Sequence, residues 1–169
     1  MDSPVIRNFM RQQGFEREGG AECQMHFAAL SFQPRVLGVL VLVGIALQLP
    51  AYFFVLAAIL WWNVLIPKWN LFELFYNGAI AAPAGKPAMG PAPAPRRFAQ
   101  GMAGTMLTIV GGALLQGWMM TAWVVEGLMV AAMAALIFGK FCLGSYIFHL
   151  IRGRVAFANA TLPWKRFDS

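Results

Sequence analysis

The sequence predicts an all-α integral membrane protein of four transmembrane helices. They form two helical hairpins, joined by an interfacial helix and a Pro/Ala-rich cytoplasmic linker. Three observations carry this. Hydrophobic residues make up 59% of the chain and charged ones 12%, where a soluble domain is about half apolar and about a quarter charged. Two long apolar stretches, residues 36–66 and 102–151, each contain one expected turn, at Pro50 and between Gln116 and Glu126. All thirteen Lys and Arg avoid those two turns. With four spans every cation falls on one side, and the positive-inside rule makes that side cytoplasmic.

Residues 1–33 form a polar arm carrying Arg7, Arg11, Glu16, Arg17, Glu18 and Glu22. It has no early apolar core of the kind a cleavable signal peptide needs, so the spans themselves are expected to direct insertion. The arm ends in MHFAALSF, which suits a short amphipathic helix on the membrane surface. Pro34 and Arg35 then suit a helical first turn at the cytoplasmic edge.

Residues 34–66 form the first hairpin. The uncharged stretch 36–66 would be ~46 Å long as one helix, too long for a hydrocarbon core of ~30 Å. Pro50 divides it into two arms, each short for a span. Trp61, Trp62 and Trp69 fall where an aromatic belt is expected. Residues 67–80 begin at Pro67 and carry Trp69, Phe72, Phe75 and Tyr76 at helical spacing, which predicts an interfacial helix.

Residues 81–97 include AAPAGKPAMGPAPAP, with five prolines and two glycines between 81 and 95. This composition favours extended, polyproline-like chain and predicts a linker. Residues 98–151 form the second hairpin. Gly104, Thr108 and Gly112 make one small-residue stripe, and Gly127, Ala131, Ala135 and Gly139 make another; the two are expected to pack on each other. The stretch 120–151 reads as one helix, apolar apart from Glu126, Lys140 and His149. Residues 152–169 form a basic tail with Trp164 and Phe167, suited to an anionic lipid surface. Interface anchors are expected at Arg35, Trp61, Trp62, Lys68, Trp69, Arg96, Arg97, Lys140, Arg152 and Arg154.

Chemistry is sparse. The chain holds seven acidic residues and no GxSxG, P-loop or HExxH pattern, so no catalytic residues are assigned. The +6 charge reads as membrane topology rather than nucleic-acid binding. Cys142, Ser145, Tyr146 and His149 fall at i, i+3, i+4 and i+7 and form the candidate thiol or ligand site. Cys142 also suits plain apolar packing. Cys23 and His26 could complete a Cys2His2 set with Cys142 and His149, though two ligands on one helix make no zinc site and no metal is predicted. His149 could ligate a haem or chlorophyll, but C-x-x-C-H is absent, and an interfacial polar role is its ordinary use. Glu126 and Lys140 lie ~21 Å apart along a helix, too far to pair, and snorkelling accounts for both.

Two short motifs resemble a known family: Pro95-Arg96-Arg97-Phe98-Ala99, and Phe141-Cys142-Leu143-Gly144-Ser145-Tyr146. Over about residues 35–152 the layout resembles domain of unknown function 4395, small bacterial four-span membrane proteins. The resemblance implies C-x-G-C in the second motif. Here Ser145 stands in the second cysteine's place, which removes a dithiol.

The reading that follows is a non-catalytic accessory subunit of a larger membrane complex. A bioenergetic one, photosynthetic or respiratory, in a bacterial inner membrane is expected. Arm, linker and tail would meet other membrane subunits and lipid; no cofactor is predicted, though pigment or quinone contact fits the aromatic faces. The alternative is a thiol-redox or sulfur-handling protein acting through Cys142. A third reading is a homo-oligomeric transporter or channel, for which only Asn63, Thr105, Thr108 and Gln116 offer a polar path.

Overall fold

The computed structural model describes residues 4–15, 21–86, 88 and 90–165; of residues 21–26, 28 and 29 it describes only the backbone. The described residues are helical, without strands. Eight α-helices follow in order: α1 (Pro4–Gln12), α2 (Ala21–Leu47), α3 (Pro50–Leu65), α4 (Leu71–Tyr76), α5 (Ala94–Leu115), α6 (Met119–Ile137), α7 (Leu143–Ile151) and α8 (Val155–Ala160). A 3-10 turn at Pro67–Trp69 precedes α4 and a π-helical turn at Asn77–Ala81 follows it. Three helices are long and apolar enough to cross a membrane: α2 over Leu30–Leu47, α5 and α6. The fourth expected span, α3, has 16 residues.

The core lies between α3 and α5, the most extensive helix pair. Phe53, Leu56, Ala57, Leu60 and Asn63 are the buried residues of α3, at helical spacing. They meet Leu107, Val110 and Ala113 of α5 and Leu37 and Val41 of α2. Aromatic rings of α3 press into the glycines of α5. A Cβ on Gly104 would meet the Trp61 indole at 3.2 Å, and one on Gly111 the Phe54 ring at 3.1 Å. The partner of Gly104 is therefore α3, not the α6 stripe. Thr108 donates its hydroxyl to Gly104 O (2.9 Å), and open space surrounds both Gly112 and Gly127. On α6 the buried residues are Ala122, Glu126 and Met129, so Gly127 and Ala131 face outward while Ala135 is half-buried. The larger side chains decide this. Met129 gains more from burial than a glycine does, and the Gln48 amide offsets the cost of burying Glu126.

The molecule has two ends. At the far end, Gln48 (φ 49°) in the α2–α3 turn is held in the left-handed region. Its Nε2 donates to both Glu126 carboxylate oxygens, at 3.0 and 3.2 Å. Glu126 is buried, which corrects the snorkelling expectation. The other end, here the base, gathers α1, α4, α7 and α8 around Arg96, Arg97 and Lys140.

Three further expectations change. Helix α2 runs through Pro34 instead of starting there. Phe32 holds the segment before it, stacking on Phe75 at 6.0 Å and tilting onto Tyr76 at 5.6 Å. Helix α5 begins at Ala94, four residues inside the expected linker, because Pro95 fits a helical first turn. And the stretch 120–151 is not one helix.

Candidate functional site

Helix α6 ends at Ile137 and α7 begins at Leu143. Lys140 adopts φ 53° in the break, and its Nζ donates to Ile137 O while lying over the Phe27 ring. A cation thereby covers a carbonyl of the α6 C-terminus. Gly139 is required here, since a Cβ on it would lie 2.7 Å from Ala135 O. Burial lowers the Lys140 ammonium below the usual lysine range, and Arg35 adds to this. Lys140 is thus a helix terminator as much as an interface anchor.

Because the chain turns at 138–142, Cys142 does not continue the α6 surface. It is extended, at the N-cap of α7, and 5% exposed. Its N–H donates to Gln12 Oε1 at 2.9 Å. One turn on, Ser145 and His149 are the buried residues of α7. His149 Nε2 lies 3.1 Å from Gln12 O; a carbonyl only accepts, so Nε2 bears the proton. The imidazole rests on Phe157 at 4.7 Å between ring centroids. Tyr146 turns elsewhere and donates to Asn159 Oδ1 at 2.9 Å. On α1, Asn8 donates to Leu162 O and Lys165 O, at 2.9 and 3.0 Å. The polar arm expected to meet partners is thus seated, over α1, in the chain's own base.

The second motif meets the first. Pro95 starts α5 and sets Arg96 and Arg97 on different sides of its first turn. Arg97 donates twice to Val64 O, at 2.8 and 3.2 Å, covering the C-terminal carbonyls of α3. Arg96 points inward and is 6% exposed, so it is no interface anchor. Its Nη2 donates to Gln33 Oε1 at 2.8 Å, and Gln100 Nε2 shares that acceptor at 2.9 Å. Gly144 is packed against Ala99 so closely that a Cβ would reach within 2.7 Å of the Ala99 Cα.

Two cavities meet at Cys142. One, about 60 Å³, is lined by Gln13, Gln33, Arg96, Gln100 and Cys142 among apolar neighbours. The other, about 260 Å³, is apolar and lined by Met102, Met106, Met129, Met133 and Cys142. Glu73 of α4 is buried nearby. Burial raises its carboxyl to about 7, the Arg96 charge pulling the other way.

Among the described residues no group of three or more His, Cys, Asp and Glu could hold a metal ion. The side chains of Cys23 and His26 lie outside the described residues. Of the expected anchors, Arg35, Lys68, Arg152 and Arg154 are exposed, as are Trp61, Trp62 and Trp69. Sequence reasoning missed Asn8, Gln12, Gln33, Glu73 and Gln100. Asn8 and Gln12 stand at i, i+4 beside Phe9, a face that could have been read as buried.

The described residues are helical, and three of their helices are long and apolar enough to span a membrane, which is compatible with a membrane protein. Residues 28–153 match the family model for the domain of unknown function DUF4395. The chain belongs to that family, as its two motifs implied. No curated protein and no solved structure matches it.

Proposed function

We propose that the chain is a four-span, non-catalytic subunit of a larger complex in a bacterial inner membrane, with its base on the cytoplasmic side. Helix α3 would be the fourth span, at ~24 Å in a locally thin bilayer. The observation that carries the reading is the outward face of α6. Gly127 has nothing within 4 Å of where its Cβ would be, Ala131 is exposed, and Trp123, Val124, Leu128 and Val130 flank them, also exposed. A smooth apolar strip that the described residues leave uncovered suits close approach of a helix from another subunit. The groups able to do chemistry are meanwhile committed to holding the base together, Gln12 to Cys142 and His149.

The test is co-purification of tagged full-length chain from native membranes in mild detergent. A defined set of polypeptides should accompany it, and Gly127→Leu with Ala131→Leu should release them without unfolding the chain. A solitary monomer in both cases refutes the reading.

A second reading is favoured by one observation: Cys142 lines both cavities. It is a membrane thiol or sulfur-handling protein acting through that sulfur. Cys142→Ala should then abolish a thiol-dependent phenotype. A Cys142 that stays inert to small alkylating reagents at neutral pH excludes it.

A further inference from the structure

A groove of about 290 Å³ runs between α2 and α6. Gly38, Leu42, Val130, Ala134, Ile137 and Phe138 line it, and Arg35 is the charged residue of its lining. The two helices come close at Gly38, where a Cβ would meet the Ile137 side chain at 3.3 Å. The walls face outward: Leu42 and Val130 are exposed, and Phe138, at the base end, is 82% exposed. Arg35 and Lys140 share a crevice at that same end with Ser31 and Pro34. They are near enough that the Arg35 charge helps to hold the Lys140 ammonium below the usual lysine range. Among the described residues neither cation meets a carboxylate. Lys140 gives one of its three donors to Ile137 O, which leaves two. Two like charges at the foot of an open apolar groove suit an anion that brings an apolar part with it.

We infer that the groove is a binding site for an anionic phospholipid, one acyl chain lying between α2 and α6 and the phosphate resting on Arg35 and Lys140. Basic pockets between spans on the cytoplasmic side recognise anionic headgroups in this way. From Arg35 to Leu42 the groove follows α2 for ~10 Å, so it holds the upper part of one chain and leaves the other chain in the bilayer. Being open along its side, it selects by the charge at its foot and not by size. A zwitterionic lipid offers the same phosphate but carries its own cation, and binds less well. A partner helix in the groove would have to bring a carboxylate to its base end. The inference rests on the membrane reading above, but the site needs no partner subunit and stands or falls separately from the assembly role.

The experiment uses the purified, delipidated full-length chain in non-ionic detergent, titrated with phosphatidylglycerol or phosphatidylcholine. Native mass spectrometry counts the lipids retained, and Tm follows occupancy. Phosphatidylglycerol should bind along a saturable curve, more tightly than phosphatidylcholine, and raise Tm. Arg35→Gln should weaken phosphatidylglycerol about fivefold and leave phosphatidylcholine unchanged, while Arg35→Lys keeps most of the preference. Ala134→Leu, which fills the groove, should weaken both lipids. Should Lys140→Gln fail to fold because Lys140 ends α6, the Arg35 and Ala134 variants decide. Equal affinity for the two lipids overturns the inference. A preference unchanged in Arg35→Gln places the anionic site elsewhere, and binding unchanged in Ala134→Leu places the acyl chain elsewhere; either overturns it. Inorganic phosphate that raises Tm as far as the phospholipid does shows a headgroup pocket without a chain, and overturns it. So does a chain that retains no lipid and runs as a dimer, its groove covered by a second copy.

Discussion

Gly144 and Ala99 are in backbone contact: the space for a Cβ on Gly144 is filled by the Ala99 Cα and Cβ, at 2.7 and 2.6 Å. This contact joins the two motifs on which the family resemblance rests. Gly144→Ala should therefore force α7 off α5 and destabilise the protein by about 1–3 kcal/mol. Gly127→Ala, with open space around it, should be neutral or slightly stabilising, as helix propensity dictates. Denaturant unfolding in detergent compares the two, and equal effects would contradict the packing described.

Gln12 is the clasp between α1 and α7. Gln12→Ala removes the acceptor of the buried Cys142 N–H, which should cost about 1–3 kcal/mol. Hydrogen exchange should quicken at the Cys142 amide and across α1, while α3 and α5 stay protected. Unchanged protection at Cys142 would mean the bond contributes nothing.

Glu73 sets a pH dependence. Its carboxyl is raised from 4.5 to about 7 by burial, so the folded state holds the proton more tightly than the unfolded one. Its contribution to stability is fullest below pH 4.5, declines across 4.5 to 7, and is lost above. Glu73→Gln should remove that decline. The check is Tm against pH for the two proteins. Parallel curves between pH 4.5 and 7 would show that Glu73 titrates as an ordinary surface carboxyl.

At the far end, Gln48 and Glu126 link the α2–α3 turn to α6. A double-mutant cycle with Gln48→Ala and Glu126→Ala should give a coupling of about 1.5–3 kcal/mol, the range for a hydrogen bond to a charged group. Glu126→Gln, which keeps an acceptor, should cost less than Glu126→Ala. A coupling near zero would make the pair incidental.

Much of the architecture was legible in the sequence because apolar length and proline position act locally. Pro50 does start α3, and the stretches around 30–47, 94–115 and 119–137 are long apolar helices. The helix partners were not legible. Small-residue spacing says that a helix can approach, not which one, and Gly104 received the Trp61 indole rather than the Gly127 face. The break at 138–142 escaped for a related reason. Gly139 and Lys140 fit a helical stripe as well as they fit a turn, and the turn prevails through contacts that α1 and α5 make with Cys142 and Gly144. The candidate site was half visible: Cys142, Ser145 and His149 are all buried in the base, while Arg96 read as a headgroup anchor. Its burial depends on Gln33 and Gln100, which lie 63 and 4 positions away in the chain.

The hydrogen bonds from α1 to α7 and the tail span 130 to 157 positions of sequence. During synthesis the first helix can rest Phe9 and Met10 on α2 early, but its hydrogen-bond partners emerge only near the end of the chain. Loops of that length close late and slowly. The base would be the last part to mature, and a nascent chain stalled before residue 142 would present an unsatisfied Gln12 to the quality-control machinery.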